Sequence, residues 1–126
     1  MKKIILALAL LASLSGFAED GVVAIRIKST GDGGIQRCMW LAPEDKGEAV
    51  PLLVSLHTWS KNYKMPNPIP PRWCAANNWA YIAPDFRGPN KTPQALGSDF
   101  AVQDIVDAVE WAKKNANIDL RGDAGR

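Results

Sequence analysis

The chain has 126 residues, 47% of them hydrophobic and 22% charged, which fits a globular domain and excludes wholesale disorder. Its formal charge is only +2, and no basic cluster interrupts it, so a nucleic-acid-binding role is excluded. With one histidine, two cysteines (Cys38 and Cys74) and no Cys-x-x-Cys pair, a structural zinc site is excluded as well.

Lys2 and Lys3 precede an apolar run, residues 4–12, followed by small residues at Gly16 and Ala18. This pattern predicts a secretory signal peptide over residues 1–18, cleaved after Ala18. The run is too short to span a bilayer, which takes roughly 20 apolar residues. Removing the leader takes away two lysines and no acid. The 15 basic residues fall to 13, matching the 13 acidic ones, so the remaining 108 residues are neutral. The reading is an exported chain, secreted or periplasmic, with no stable membrane association after cleavage. Export permits a Cys38–Cys74 disulfide, but two buried free thiols are equally consistent with the sequence.

Residues 22–28 (VVAIRIK) alternate apolar and polar at their end and predict a half-buried strand. Gly31-Asp32-Gly33-Gly34 is a turn signal, and residues 35–41 (IQRCMWL) predict a second strand in an antiparallel hairpin. Residues 51–57 (PLLVSLH) form a nearly continuous apolar run, as in a strand covered on both faces. Pro66, Pro68, Pro70 and Pro71 mark a loop, with a short helix expected over 72–77 and Pro71 able to take its first position. Residues 79–83 (WAYIA) predict another buried strand, stopped by Pro84.

The strongest helix signal begins at Gly97-Ser98-Asp99, where Ser98 can cap and Asp99 suits the positive end of the dipole. Ala101, Ile105, Ala108, Val109 and Ala112 make its apolar stripe, with Asp104, Asp107 and Glu110 on other faces. The order predicts an α/β fold, with a mostly parallel sheet and an N-terminal antiparallel hairpin. A right-handed crossover through the last helix should deliver a further parallel strand. No apolar run follows Asp119, so residues 19–126 read as the N-terminal portion of a larger domain.

Three segments carry a resemblance. Residues 52–57 (LLVSLH) with the loop after them, residues 79–88 (WAYIAPDFRG), and residues 98–119 with their QDIVDAVEW and NID stretches resemble successive parts of an α/β-hydrolase domain of the prolyl-oligopeptidase type. The resemblance implies an incomplete α/β-hydrolase fold from a secreted serine peptidase or carboxylesterase, acting on peptide or ester substrates without a cofactor. It also implies a Gly-x-Ser-x-Gly elbow with triad order Ser, Asp, His. Residues 1–126 contain no such elbow, so no catalytic triad residue is expected within them and the chain alone is expected to be inactive.

His57, the sole histidine, precedes any nucleophile and is expected to hydrogen-bond within its loop rather than act as base. The loop after it, His57 and Thr58 onward, is the expected active-site loop. In the resembling family it supplies oxyanion donors, for which Trp59, Ser60 and the Tyr63 hydroxyl are the matching candidates. The family's usual glycine after the histidine is Thr58 here, and Trp59 could instead simply pack. Arg87 is read as an ion pair with a helix carboxylate such as Asp104, ahead of an anion site.

Five scattered tryptophans (Trp40, Trp59, Trp73, Trp79, Trp111) are read mostly as core, although sugar stacking is the competing use. Asn90-Lys91-Thr92 is a glycosylation sequon only if the secretion route is eukaryotic, and Arg121-Gly122-Asp123 is discounted as a chance adhesion triplet. The rival function is a secreted, non-catalytic carbohydrate- or peptide-binding module. Oligomeric state is not readable from the residues.

Overall fold

Hydrophobic alternation is the feature that builds the sheet. In the computed structural model, which describes residues 21–64 and 67–121, four strands form in the order β1-β2-β4-β3. They are β1 (Val23–Lys28), β2 (Ile35–Leu41), β3 (Leu52–Val54) and β4 (Ala80–Pro84). β1 and β2 pair antiparallel as the expected hairpin, with Ile25 opposite Cys38. β2 also pairs antiparallel with β4, and β4 pairs parallel with β3, placing Leu53 opposite Tyr81. The sheet is therefore mixed, with its parallel part at the β3 side. The expected leader, residues 1–18, lies outside the described residues, as do Gly122 and Asp123 of the adhesion-like triplet.

Because side chains alternate across a strand, β2, β3 and β4 each feed two cores. Cys38 and Trp40 of β2, with Ala80 and Ile82 of β4, meet Ile27 on one face. Met39 and Leu41, with Tyr81 and Ala83, face the other. The first face is closed by α2 (Asp99–Asn115) through Ala108 and Ala112, whose small side chains let the helix approach the sheet closely. Trp111 of α2 meets Trp40 edge-on, with ring centroids 5.2 Å apart. The second face is closed by α1 (Ile69–Asn77) through Cys74, together with Tyr63 from the preceding loop.

The two cysteines therefore lie on opposite faces of the sheet, buried and free. Of the two readings left open for them, the free-thiol one describes the structure.

α1 starts three residues earlier than its sequence pattern predicts, at Ile69, with Pro70 and Pro71 in its first turn. The first N–H groups of a helix have no intrahelical acceptor, so prolines there lose nothing. Asn78 ends the helix in a left-handed conformation, φ 54°. β3 is shorter than the 51–57 run, but hydrogen bonds extend its ladder at both ends. Ala80 N–H donates to Pro51 O at 3.0 Å, and Ser55 N–H donates to Ile82 O at 2.9 Å.

α2 begins as its sequence predicts, with Ser98 Oγ accepting from Ala101 N–H at 3.3 Å. Asp104 and Asp107, expected on faces of α2 other than its apolar stripe, are buried. The reason is that each finds partners from distant parts of the chain. Asp107 accepts from Thr30 N–H (2.7 Å), the Thr30 hydroxyl (2.8 Å) and Gln103 Nε2 (2.9 Å). Asp104 takes Arg87, described below. After α2 the chain returns to the open side of β3. Val50 and Ile118 form a parallel bridge, with Val50 N–H to Asn117 O at 2.9 Å and Asp119 N–H to Val50 O at 2.8 Å. The predicted crossover thus reaches its first parallel pairing.

Candidate active site

β3 and β4 run parallel, so their carboxyl ends emerge at one edge of the sheet, where open α/β sheets place their ligand crevices. Two loops meet there, residues 57–64 after β3 and residues 85–92 after β4. The β4 loop organises the β3 loop. His57 Nε2 lies 2.8 Å from Asp85 O, and His57 Nδ1 lies 3.0 Å from Thr58 O. The imidazole stacks on Phe86 at a centroid distance of 4.1 Å and an interplanar angle of 14°. Tyr63 N–H donates to Asp85 Oδ1 at 3.1 Å, and Asn90 N–H donates to Trp59 O at 2.9 Å.

His57 is buried and both its nitrogens meet carbonyl oxygens. A neutral imidazole carries one N–H, and assigning it to Nε2, the nitrogen with the shorter contact, makes Asp85 O its acceptor. Thr58 and Lys61 close a turn, Lys61 N–H to Thr58 O at 3.0 Å, with Trp59 and Ser60 at its centre. That turn hydrogen bond engages neither the Trp59 nor the Ser60 N–H. The Trp59 side chain is 65% exposed. Tyr63 is different: its ring is buried in the α1-side core, beside Tyr81 and Cys74. Ser55, His57, Asn62, Tyr63 and Tyr81 line a small recess between the 57–64 loop and β4. The structure thus brings His57, Thr58, Trp59, Ser60 and Tyr63 into one loop at the sheet edge.

The turn at residues 85–88 is the unexpected part. Phe86 (φ 31°), Arg87 (φ 79°) and Gly88 (φ 73°) all adopt left-handed backbone, which is costly for the first two. Gly88 N–H closes the turn on Asp85 O at 2.8 Å. Arg87 is fixed on every side. Its Nε and Nη2 reach Asp104 at 2.7 and 3.1 Å, its Nη1 and Nη2 reach Asp32 at 2.6 and 3.2 Å, and Nη2 also reaches Ser29 Oγ at 3.1 Å. The guanidinium lies 5.1 Å from the Phe100 ring centroid.

The expected Arg87–Asp104 pair is present, and the carboxylate of Asp32 doubles it. The hydrogen bonds from Arg87, then that from Gly34 N–H, hold the Asp32 carboxyl down at about 2. Burial works to raise the Asp107 carboxyl, but the Thr30 and Gln103 donors outweigh it and the net direction is down.

Sequence reasoning passed over Asp85, Phe86 and Asn90 as parts of this site. Asp85 stood inside the 79–88 segment (WAYIAPDFRG) that carries the resemblance, so a signal existed. Its role appears only when β4 is laid beside β3. Asn90 carries a buried Oδ1 with no hydrogen-bond partner among the described residues.

No group of three His, Cys, Asp or Glu side chains among the described residues is placed to hold a metal ion, and none of their helices is long and apolar enough to cross a membrane.

Solved structures share this architecture. A thermostable esterase superposes with a TM-score of 0.60 at 16% identity, over 79% of this chain and 32% of its own. An S-formylglutathione hydrolase from Staphylococcus aureus gives 0.58 at 16%, over 78% and 42%. A putative dienelactone hydrolase from Klebsiella pneumoniae subsp. pneumoniae gives 0.53 at 15%, over 78% and 46%. The fold is that of a partial α/β-hydrolase. The chain spans between about a third and a half of the length of these α/β-hydrolase structures. No protein-family model matches the sequence, and no curated protein matches it.

Proposed function

We propose that the chain is the N-terminal portion of an exported serine hydrolase of the prolyl-oligopeptidase type, a peptidase or carboxylesterase. One observation carries this reading. The strand order β1-β2-β4-β3, followed by the parallel return of Ile118 beside Val50, aims the chain after α2 at the position from which the nucleophile strand of such a domain rises. The nucleophile, acid and base would lie in a segment that residues 1–126 do not contain.

In that assembly a serine Oγ attacks the substrate carbonyl, a histidine takes its proton, and N–H donors hold the oxyanion. The 57–63 loop would supply one set of donors, from the Trp59 or Ser60 N–H or the Tyr63 hydroxyl. Export follows from the leader over residues 1–18. The names of the similar structures, an esterase and two hydrolases, support ester substrates at least as well as peptides.

The test is labelling with a serine-reactive fluorophosphonate together with p-nitrophenyl acetate turnover. The 126-residue chain should show neither. A longer chain carrying the Gly-x-Ser-x-Gly elbow should show both, and substitution of its elbow serine should abolish them. Labelling of the 126-residue chain itself overturns the proposal.

A second reading, a non-catalytic carbohydrate- or peptide-binding module, is favoured by the exposed indoles of Trp59 and Trp73. It requires saturable quenching of tryptophan fluorescence by an oligosaccharide or peptide, lost in Trp59→Ala.

A further inference from the structure

The backbone at Phe86 and Arg87 is strained, and the strained turn adjoins the loop that the proposed chemistry uses. Such strain persists only where the surroundings over-determine it. Here the surroundings are Asp32 and Ser29 in the β1–β2 turn and Asp104 in α2, all converging on one guanidinium. What the strain achieves is visible at Asp85 and at Phe86 itself. Asp85 O accepts from His57 Nε2–H, Asp85 Oδ1 accepts from Tyr63 N–H, and Phe86 is laid flat on the imidazole.

We infer that Arg87 is a positioning residue for the 57–63 loop: clamped by Asp32 and Asp104, it holds the 85–88 turn in the left-handed conformation that presents Asp85 and Phe86 to His57 and Tyr63. The N-terminal hairpin, remote in sequence, thereby becomes a support of the oxyanion loop. This rests on the hydrolase reading only for what the loop does. The position of the loop can be measured without turnover.

A relaxed turn would let the chain at 86 and 87 return to negative φ. Asp85 O would rotate away from His57, and Phe86 would leave the imidazole face. Both changes have spectroscopic signatures. Stacking on an aromatic ring shields the imidazole carbon-bound protons, and a hydrogen-bonded Nε2–H exchanges slowly with solvent.

The experiment is NMR on the full chain with Arg87→Ala, Arg87→Lys and Asp32→Asn, alongside amide hydrogen exchange. In Arg87→Ala the His57 ring protons should move to unstacked shifts, and the Tyr63 amide should exchange at least about tenfold faster than the β2 and β4 amides do in the same variant. Asp32→Asn, at a side chain 38% exposed, should shift the same signals in the same direction by less. It also serves as the readout if Arg87→Ala does not fold. Arg87→Lys keeps the charge but not the planar fork, and should restore the loop only in part.

Unchanged His57 and Tyr63 signals, or protection lost by one common factor over the whole sheet, would overturn the inference. A longer chain that fails to hydrolyse esters while these signals respond would sink the hydrolase reading and leave the positioning role standing.

Discussion

The two faces of the sheet are closed in different ways. On the α2 face a 17-residue helix with a side-chain cap buries three alanines, and two buried carboxylates tie it to the hairpin turn and the 85–88 turn. On the α1 face a nine-residue helix has no side-chain N-cap bond and buries only Pro71 and Cys74. Its Trp73 stays 49% exposed, edge-on to Trp79 at 4.9 Å, and Ile69 is 72% exposed. Cooperative helix formation needs length and tertiary contacts. The α2 face has both and is cross-linked by buried carboxylates, whereas the directional contacts of the α1 face include exposed ones at its C-cap, Glu44 N–H to Asn78 Oδ1 at 2.8 Å and Asn78 Nδ2–H to Glu44 O at 3.2 Å. The buried polar bracing is thus concentrated on the α2 side of the sheet.

The comparison breaks most sharply at Asp104. Its side chain is fully buried and it holds an arginine that is only 14% exposed. Removing one partner of a buried pair strands the other, at a cost of about 3–5 kcal/mol. Asp104→Ala should therefore remove much of the stability of the chain, read as a fall in the urea midpoint. A loss under about 1 kcal/mol would mean that Asp32 alone satisfies Arg87.

The thiols probe both faces at once. Burial pushes the Cys38 thiol up to about 12 and also raises Cys74. Below the ordinary value of 9.0 for a thiol both states keep the proton and nothing is lost. As the pH rises from there toward about 12, the unfolded chain ionises first and stability falls. Urea midpoints should decline over that window, and Cys38→Ala should flatten the decline. Neither thiol should react with a disulfide reagent at neutral pH until the chain opens. If one does, it should be Cys74 on the less braced α1 face.

Much of this two-faced plan was legible in the sequence. The alternation in residues 22–28 and 35–41, the apolar runs at 51–57 and 79–83, and the Ser98 cap located every strand and the main helix. Of the polar bracing, only the Arg87–Asp104 pair was. A helical wheel puts Asp104 and Asp107 off the apolar stripe because it knows only neighbours on the same helix. Their partners, Arg87 and Thr30, stand 17 and 77 positions away. The prolines at 70 and 71 read as a loop because they exclude a helix interior, while a first turn accepts them.

At the site, His57 and its loop could be named from the strand that ends there. Asp85, which holds that loop, could not be given its role, because a carbonyl and a carboxylate 28 and 22 positions from their partners leave no periodic trace.

A smaller test lies on the α1 side. Trp73→Ala removes one edge-on aromatic contact at the surface and should cost about 1 kcal/mol. Exchange should speed up at α1 amides while α2 amides hold. Equal acceleration in both helices would show that the two faces open together and that the asymmetry is not energetic.

The smallest expected effect is at Asp32, and it separates charge from geometry. Arg87 and the Gly34 N–H hold this carboxyl at about 2, below its ordinary 3.8. A carboxylate lowered on folding stabilises the native chain above its unfolded value and loses that contribution as the pH falls through the folded one. The window is therefore pH 3.8 down to about 2. Asp32→Asn should change the urea midpoint little at neutral pH, because the side chain is partly in water and the amide oxygen still accepts a hydrogen bond. In acid the wild-type advantage should shrink further as the pH drops across that window. A difference that stays constant from pH 7 to pH 2 would mean that the Asp32 charge contributes nothing to stability, leaving Asp104 as the carboxylate that braces Arg87.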